Sequence, residues 1–402
     1  MDSVLNAMGE INQMANGPLS SLKILDFSTL LPGPFATMMI ADMGADILCV
    51  DNVKSKIDQE DSKTASMREY LGRSKRSIAL DLKKPEAVDI IKRLVDEYDI
   101  IVEQFRPGVM KRLGLDYKTI FKINPRIIYC SITGYGQTGP YKDRAGHDIN
   151  YLATAGVSSH SGRKKYGPIL SGVQIADVAG GSLHAVTGIL AAVIQRIQTG
   201  EGQYIDISMT DGSFALNSIH GADFLSGGSE PKFESTILNG GSYYDYYKTK
   251  DGRYFSVGSL EPKFFLKLLQ VMKKYDDVEI DPENQFGNQK DIKSQLSKIF
   301  KKKNYVDWCS IFSKVDACVE PVLTFSESIQ HSQLKARKMI VDVPADNGAY
   351  KKQIGNPVKF SLSETDYRHI GVQPGTHSKE ILLEIGFTEP ELKILFNQGI
   401  VS

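Results

Sequence analysis

Apolar residues fall in short blocks separated by polar turns through the first third of the chain. Leu22, Ile24, Leu25 and Phe27 mark a strand over 22–27, followed by the turn Leu31-Pro32-Gly33-Pro34. A helix is expected over 35–43, ended by Gly44. The DILCVD run over 46–51 reads as the next strand. Strand, helix and strand joined this tightly are the signature of a parallel sheet with a right-handed crossover. The polar stretch 52–72 reads as an irregular loop long enough to be functional. Strands over 77–82, 100–105 and 127–133, with a helix over 84–98, complete a core of four or five strands. Runs this apolar imply a sheet covered on both faces.

Farther on, Leu183, Val186, Leu190, Val193, Ile194 and Ile197 recur at helical spacing and predict one strong apolar stripe. Gly200-Glu201-Gly202 ends that helix, a strand follows over 204–209, and a helical segment runs to about 224. Gly and Ser enrich 225–242, which reads as a linker. A second unit then opens with a hairpin, 243–249 and 254–258, turned at Asp251-Gly252. It continues with helices near 262–275, 291–301 and 304–315. Irregular or short-strand structure is expected over 344–360 and terminal helices over 378–385 and 391–396. Those last helices are amphipathic and need a surface to cover. The expected class is α/β: a parallel-sheet large domain over 1–224, completed by 341–402, and a smaller α+β domain over 225–340. Residues 1–20 read as a loose leader. No GxGxxG follows the first strand, so a dinucleotide site is not expected.

Composition narrows the function. The 402 residues suffice for two or three domains, and 48 basic against 48 acidic residues leave no net charge. Neither a basic surplus for nucleic acid nor an acidic tail is present. The four cysteines, Cys49, Cys130, Cys309 and Cys318, form no CxxC and no disulfide framework, which fits a reducing compartment. No run of about 18 apolar residues suggests a membrane span, and the N-terminus lacks the pattern of a signal peptide. The chain ends without an SKL-type address. A cytoplasmic enzyme is expected, with peroxisome and mitochondrion left open.

Two stretches carry candidate chemistry. Gly146-His147-Asp148-Ile149-Asn150-Tyr151 is a polar turn before a helix. Gln174-Ile175-Ala176-Asp177-Val178-Ala179-Gly180-Gly181 places Asp177 ahead of two glycines and the long apolar helix. A histidine and an aspartate at two helix mouths suit opposed proton-transfer groups entering one pocket from different elements. Taken alone, His147 reads as a surface or capping histidine and Asp177 as an N-cap. The helix start at Asp177 also offers N–H groups and a positive dipole end to a developing enolate. Gly180 and Gly181 allow a ligand or another backbone to approach closely. Glu261, in Gly258-Ser259-Leu260-Glu261-Pro262, reads as a helix N-terminal acid. Arg73, Lys75 and Arg76 precede the strand ending Leu80-Asp81-Leu82, and Lys83 follows it. Such a cluster suits phosphates or forms a solvated strand edge. Arg106 and Arg112 flank Pro107-Gly108-Val109-Met110 and make a second basic patch. No HExxH and no Cys/His cluster exists, so no metal is expected.

On GHDINY, the aspartate that follows it, and the FRPGVMxRLGL and GRxKRSIALDL stretches, the chain resembles the α-methylacyl-CoA racemase branch of the class III CoA-transferase (CaiB/BaiF) family. The resemblance runs from about Leu22 to Ile400 and includes Gly134-Tyr135-Gly136-Gln137-Thr138-Gly139-Pro140 and Asp316-Ala317-Cys318-Val319-Glu320-Pro321-Val322. It implies a Rossmann-like large domain, a smaller domain and an intertwined homodimer. It also implies inversion of the α-carbon of 2-methylacyl-CoA thioesters through an enolate, with His147 and Asp177 as the two bases and Glu261 as an orienting acid that reaches the partner's site. No separate cofactor is implied, since CoA is part of the substrate. The CoA site implied comprises Asn52, Arg73, Lys75, Arg76, Leu80, Asp81, Leu82, Lys83, Arg106, Arg112, Gly146, Asp148, Ile149, Asn150 and Tyr151. At Asn52, with Lys54 two places on, this chain departs from the family, where many members have an arginine or another basic or polar residue that helps hold the nucleotide. A class III CoA-transferase with Asp177 as nucleophile is the alternative, GHDINY being the feature that separates the two. A non-catalytic CoA-thioester binding protein is a third reading.

Overall fold

The computed structural model describes residues 17–54, 61–346 and 348–402. Most of the leader read over 1–20 therefore lies outside the described residues. The chain divides into two compact units. One comprises Met1–Leu152, Val173–Leu216 and Lys335–Ser402; the other comprises Ala153–Gly172 and Asn217–Leu334.

The first unit is built on six parallel strands: β1 (Lys23–Asp26), β2 (Asp46–Asn52), β3 (Arg76–Leu80), β4 (Ile100–Glu103), β5 (Ile128–Thr133) and β6 (Tyr204–Ser208). Their spatial order is β3-β2-β1-β4-β5-β6, so the chain reverses its direction of travel between β1 and β4. The sequence suggested four or five strands; Tyr204–Ser208 pairs with β5 and makes the sixth. Helix α1 (Pro32–Asp42) begins on its prolines, where a missing N–H costs nothing. Helix α2 (Ser62–Leu71) corrects the expected loop over 52–72. Asp61 caps it by accepting the N–H of Thr64, and Leu71 is its one buried residue, so no apolar period announced it. Helix α3 (Pro85–Leu94) buries Ala87, Ile90, Ile91 and Leu94 against the sheet.

Helix α4 (Asp148–Thr154) follows the polar turn. A π-helical turn, Ala176–Ser182, runs into α5 (Leu183–Thr199). The buried side of α5 is Ala185, Val186, Ile189, Ala192 and Arg196. Leu183, Ile194 and Ile197 of the expected stripe are exposed instead. Ala185 and Ala192 let α5 lie close to its neighbours, Val186 and Ile189 fill the space beside them, and Leu183, Ile194 and Ile197 are left outside. Against the expectation of no such run, Ala176–Thr199 is long and apolar enough by length and composition to cross a membrane, though part of it is buried within this unit. Helix α6 (Met209–Ala215) follows β6 directly.

In the second unit, β7 (Asp245–Lys248) and β8 (Tyr254–Val257) form the expected hairpin, and β9 (Val319–Pro321) adds a third antiparallel strand. Helices α7 (Pro262–Met272), α8 (Gln289–Phe300) and α9 (Tyr305–Phe312) cover it. Tyr247, Phe255, Phe300, Trp308 and Phe312 pack together in its core, and the Trp308 Nε1–H donates to the Phe300 carbonyl at 2.9 Å. The chain then returns to the first unit with the hairpin β10 (Ile340–Pro344) and β11 (Tyr350–Ile354) and helices α10 (Ser378–Glu384) and α11 (Glu389–Asn397). Ile381, Leu382, Leu392 and Leu395 join the core beneath the sheet, which is the surface those amphipathic helices needed. All four cysteines are free.

Candidate active site

Open parallel sheets bind ligands beyond the C-terminal ends of their strands, where the direction of winding reverses. A cleft of about 480 Å³ lies there in the first unit. Leu30 and Pro32 after β1, Gln104 and Arg106 after β4, Thr133 at the end of β5 and Met209 after β6 form much of its wall. The Gly33 N–H donates to the Gln104 side chain at 3.0 Å and ties the first two of these loops together.

His147 enters the cleft at the mouth of α4. Its carbonyl accepts the N–H of Asn150 at 2.8 Å, so its backbone belongs to the helix start. Asn150 Oδ1 accepts the His147 N–H at 3.0 Å, a reciprocal cap that leaves the imidazole out of the helix's own bonding. Behind it, Tyr151 is buried and its hydroxyl donates to the Gly146 carbonyl. A Cβ at Gly134 would come 2.4 Å from the Tyr151 ring, and one at Gly146 would come 2.6 Å from it. Both positions need glycine because the Tyr151 ring occupies the space a Cβ would take. Burial pushes the Tyr151 hydroxyl up to about 12, so it stays a donor.

Asp177 lines the same cleft from the first turn of the π-helix. It does not cap that turn, as its sequence position suggested. The cap comes from another helix: Asp148 Oδ1 accepts the N–H of Ala176 at 2.6 Å and of Asp177 at 3.1 Å. Those two N–H groups are thus taken, which corrects the expectation that they hold an enolate. Gly180 meets backbone rather than a ligand: a Cβ there would lie 2.7 Å from the Met209 carbonyl, and one at Gly212 would lie 2.2 Å from the Gly180 carbonyl. The Ser182 hydroxyl donates to the Pro32 carbonyl at 2.7 Å and pins the π-turn to the β1 loop. Burial, and then the Asp148 charge, push the Asp177 carboxyl up to about 6, while His147 pulls the other way. A carboxyl poised near neutrality can both take and return a proton.

The structure uses the expected basic cluster differently from the sequence reading. Arg73 is 1% exposed and makes a two-pronged pair with Asp42 at 2.8 and 2.6 Å, donating also to the Ile354 carbonyl. Lys75 is buried on Asp26, Thr37 and the Pro34 carbonyl. Arg76 pairs with Asp46 and Glu384 and bonds the Tyr98 hydroxyl. Neither Arg73 nor Lys75 presents its charge to a phosphate, because burying an unpaired cation is costly and the fold pairs both internally. Leu80 is buried beside Val401, Asp81 folds its carboxylate onto the Lys83 N–H, Leu82 packs at the core margin, and Lys83 is exposed. Asn52 ends β2 beside Leu80 and accepts the Lys54 N–H. None of these residues lines the cleft. Arg112 and Ile149 also lie off its wall, and Ile149 is exposed.

Arg106 does line the cleft, together with Lys142 and Arg144, which the sequence reading passed over. None of the three makes an ion pair among the described residues. The signal was available: both missed cations lie within five residues of His147, in the same connection. Gln104 and Thr133 were missed because they close strands that read as core. Glu261 lies in the second unit at the start of α7, where its side chain does not cap the helix and has no hydrogen bond or ion pair among the described residues.

A model of CoA-transferase family III matches residues 19–377. Human alpha-methylacyl-CoA racemase is 34% identical over 387 residues, covering 96% of this chain and 97% of that protein. Human succinyl-CoA:glutarate CoA-transferase is 31% identical over 399 residues, covering 96% and 90%. Among solved structures, a CAIB/BAIF family protein from Brucella suis superposes with a TM-score of 0.78 at 27% identity, covering 92% of this chain and all of that one.

Proposed function

The chain belongs to CoA-transferase family III, and within that family we propose that it inverts the α-carbon of 2-methylacyl-CoA thioesters. The observation that carries this reading is the pairing of His147 with an Asp177 carboxyl raised to about 6 in one cleft. The α-proton of a thioester is weakly acidic, so its removal needs a placed base and a held enolate. One of the two groups removes the proton from one face and the other, protonated, returns one to the opposite face. For the second enantiomer the roles reverse; another turnover on the same enantiomer first requires the two groups to exchange their protons with solvent. Arg106 and the Asn150 amide, both on the cleft wall, are the donors suited to the enolate oxygen or the CoA phosphates. No cofactor enters the scheme.

Glu261 has no partner in its own unit. In the proposed homodimer it would reach the cleft of the other protomer and orient His147. A CoA-transferase is the second reading, favoured by a transferase relative at 31% identity, and the aspartate would serve either activity. Asp177 would then be the nucleophile.

The deciding experiment follows deuterium into separate R and S 2-methylacyl-CoA esters in heavy water by mass spectrometry. The unaltered protein should invert both. His147→Ala and Asp177→Asn should each lose inversion by several powers of ten, about 1.4 kcal/mol of barrier per tenfold. Each should retain exchange without inversion on one enantiomer, and the two should prefer opposite ones. Racemisation by His147→Ala at near the original rate would sink the proposal. Transfer of CoA to a free carboxylic acid, with hydroxylamine trapping Asp177, would install the transferase.

A further inference from the structure

We infer that Thr133 is a substrate-positioning residue whose hydroxyl is a further hydrogen-bond donor to a bound acyl-CoA, beside Arg106 and the Asn150 amide. This rests on the acyl-CoA reading of the cleft but not on inversion as the chemistry. Side chains alternate along a strand, so Tyr129, Ser131 and Thr133 of β5 share one face. In the sheet register Ser131 stands beside Glu103 of β4 and Asp206 of β6, and Thr133 beside Ser208. This makes a polar layer in which Glu103, Ser131, Thr133 and Ser208 are buried, and its other hydroxyls are engaged. Ser131 accepts the Tyr204 hydroxyl at 3.0 Å and bonds the Glu103 carboxyl. Ser208 accepts the Asp211 N–H at 3.1 Å. Next door, the Thr210 hydroxyl has found the Gly134 carbonyl at 2.7 Å.

Thr133 is the exception. It is 7% exposed, yet its Oγ1 has no hydrogen-bond partner among the described residues. It is also the last residue of β5 and lines the cleft with His147 and Asp177. Native proteins rarely leave a buried hydroxyl unmatched, and one that is left so calls for a bound partner or a role in the chemistry. The Oγ1 atom is itself covered, and a χ1 step between staggered rotamers is what would turn it toward the ligand. The thioester carbonyl and pantetheine amides of an acyl-CoA supply acceptors for it.

Thr133→Val keeps the shape and removes the hydroxyl; Thr133→Ser keeps the hydroxyl. The probe is isobutyryl-CoA, whose α-carbon is not stereogenic, titrated calorimetrically into the whole protein, with thermal melting of the ligand-free protein alongside. Thr133→Val should bind about 3- to 10-fold more weakly, the scale of one net hydrogen bond, and melt at an unchanged or higher temperature. In exchange assays the loss should fall on KM rather than kcat, and Thr133→Ser should restore both. Unchanged affinity overturns the inference, and unchanged affinity with a lower melting temperature would make the hydroxyl purely structural. If the unaltered protein binds isobutyryl-CoA but inverts no 2-methylacyl-CoA, the racemase reading fails and Thr133 is still judged by its effect on binding. If it binds no CoA thioester, this inference fails.

Discussion

The carboxylate of Asp148 is bonded to the backbone of Asp177: its Oδ1 accepts the Asp177 N–H at 3.1 Å. The residue after the histidine therefore sets both the position and the charge environment of the aspartate. Asp148→Asn keeps an acceptor and removes the charge that helps raise Asp177. The acid limb of kcat/KM should move to lower pH, with the plateau little changed. Asp148→Ala also loses the cap, which should cost about 0.5–2 kcal/mol of stability by urea unfolding. An acid limb that stays put in Asp148→Asn would mean that the limb does not report Asp177.

Asp177 itself should weigh on stability in a pH-dependent way. Its carboxyl is raised from 3.8 to about 6 on folding. The folded state therefore binds its proton more tightly than the unfolded chain does. The stability this contributes is full below pH about 4 and is lost as pH rises through about 6. Asp177→Asn, which cannot ionise, should gain melting temperature relative to the original protein between pH 4 and pH 7. Parallel melts at a few pH values test this, and a difference that does not grow with pH refutes it.

Arg73 and Asp42 should behave as a structural pair. Arg73→Met alone leaves a buried carboxylate uncompensated and should cost about 3–5 kcal/mol in denaturant unfolding. Arg73→Met with Asp42→Leu should recover most of that, because two apolar groups replace two desolvated charges. Affinity of the double variant for free CoA should stay within about twofold, less than the loss of one hydrogen bond. A large, salt-dependent drop in CoA affinity in the recovered double variant would return Arg73 to the phosphate site.

Gly134→Ala places a methyl 2.4 Å from the Tyr151 ring. The ring must shift, and overpacking of this kind costs about 1–3 kcal/mol. Because Tyr151 backs the His147 turn, activity should fall further than the loss of folded protein explains. Circular dichroism and exchange rates measured on the same samples separate the two effects.

Much of this protein was legible from local pattern. The β1, β2, β4 and β5 runs are apolar, short and bounded by turns, so periodicity and length alone place them. The hairpin of β7 and β8 declares itself by Asp251-Gly252. GHDINY and the aspartate beyond it were likewise visible, because local residues fix a helix mouth. What the sequence left undecided depended on partners distant along the chain. Helix α2 buries only Leu71 and had no stripe to reveal it. The face that α5 turns inward was settled by close approach of the π-turn to Gly212, which spacing within α5 cannot express. Arg73 and Lys75 read as surface cations because their acids, Asp42 and Asp26, come from other elements. Asp148 looked like a ligand contact until the fold brought the Asp177 backbone to it. A side chain's preference is written locally, but whether a charge is paired or a hydroxyl left open is decided only when the strands are ordered in space.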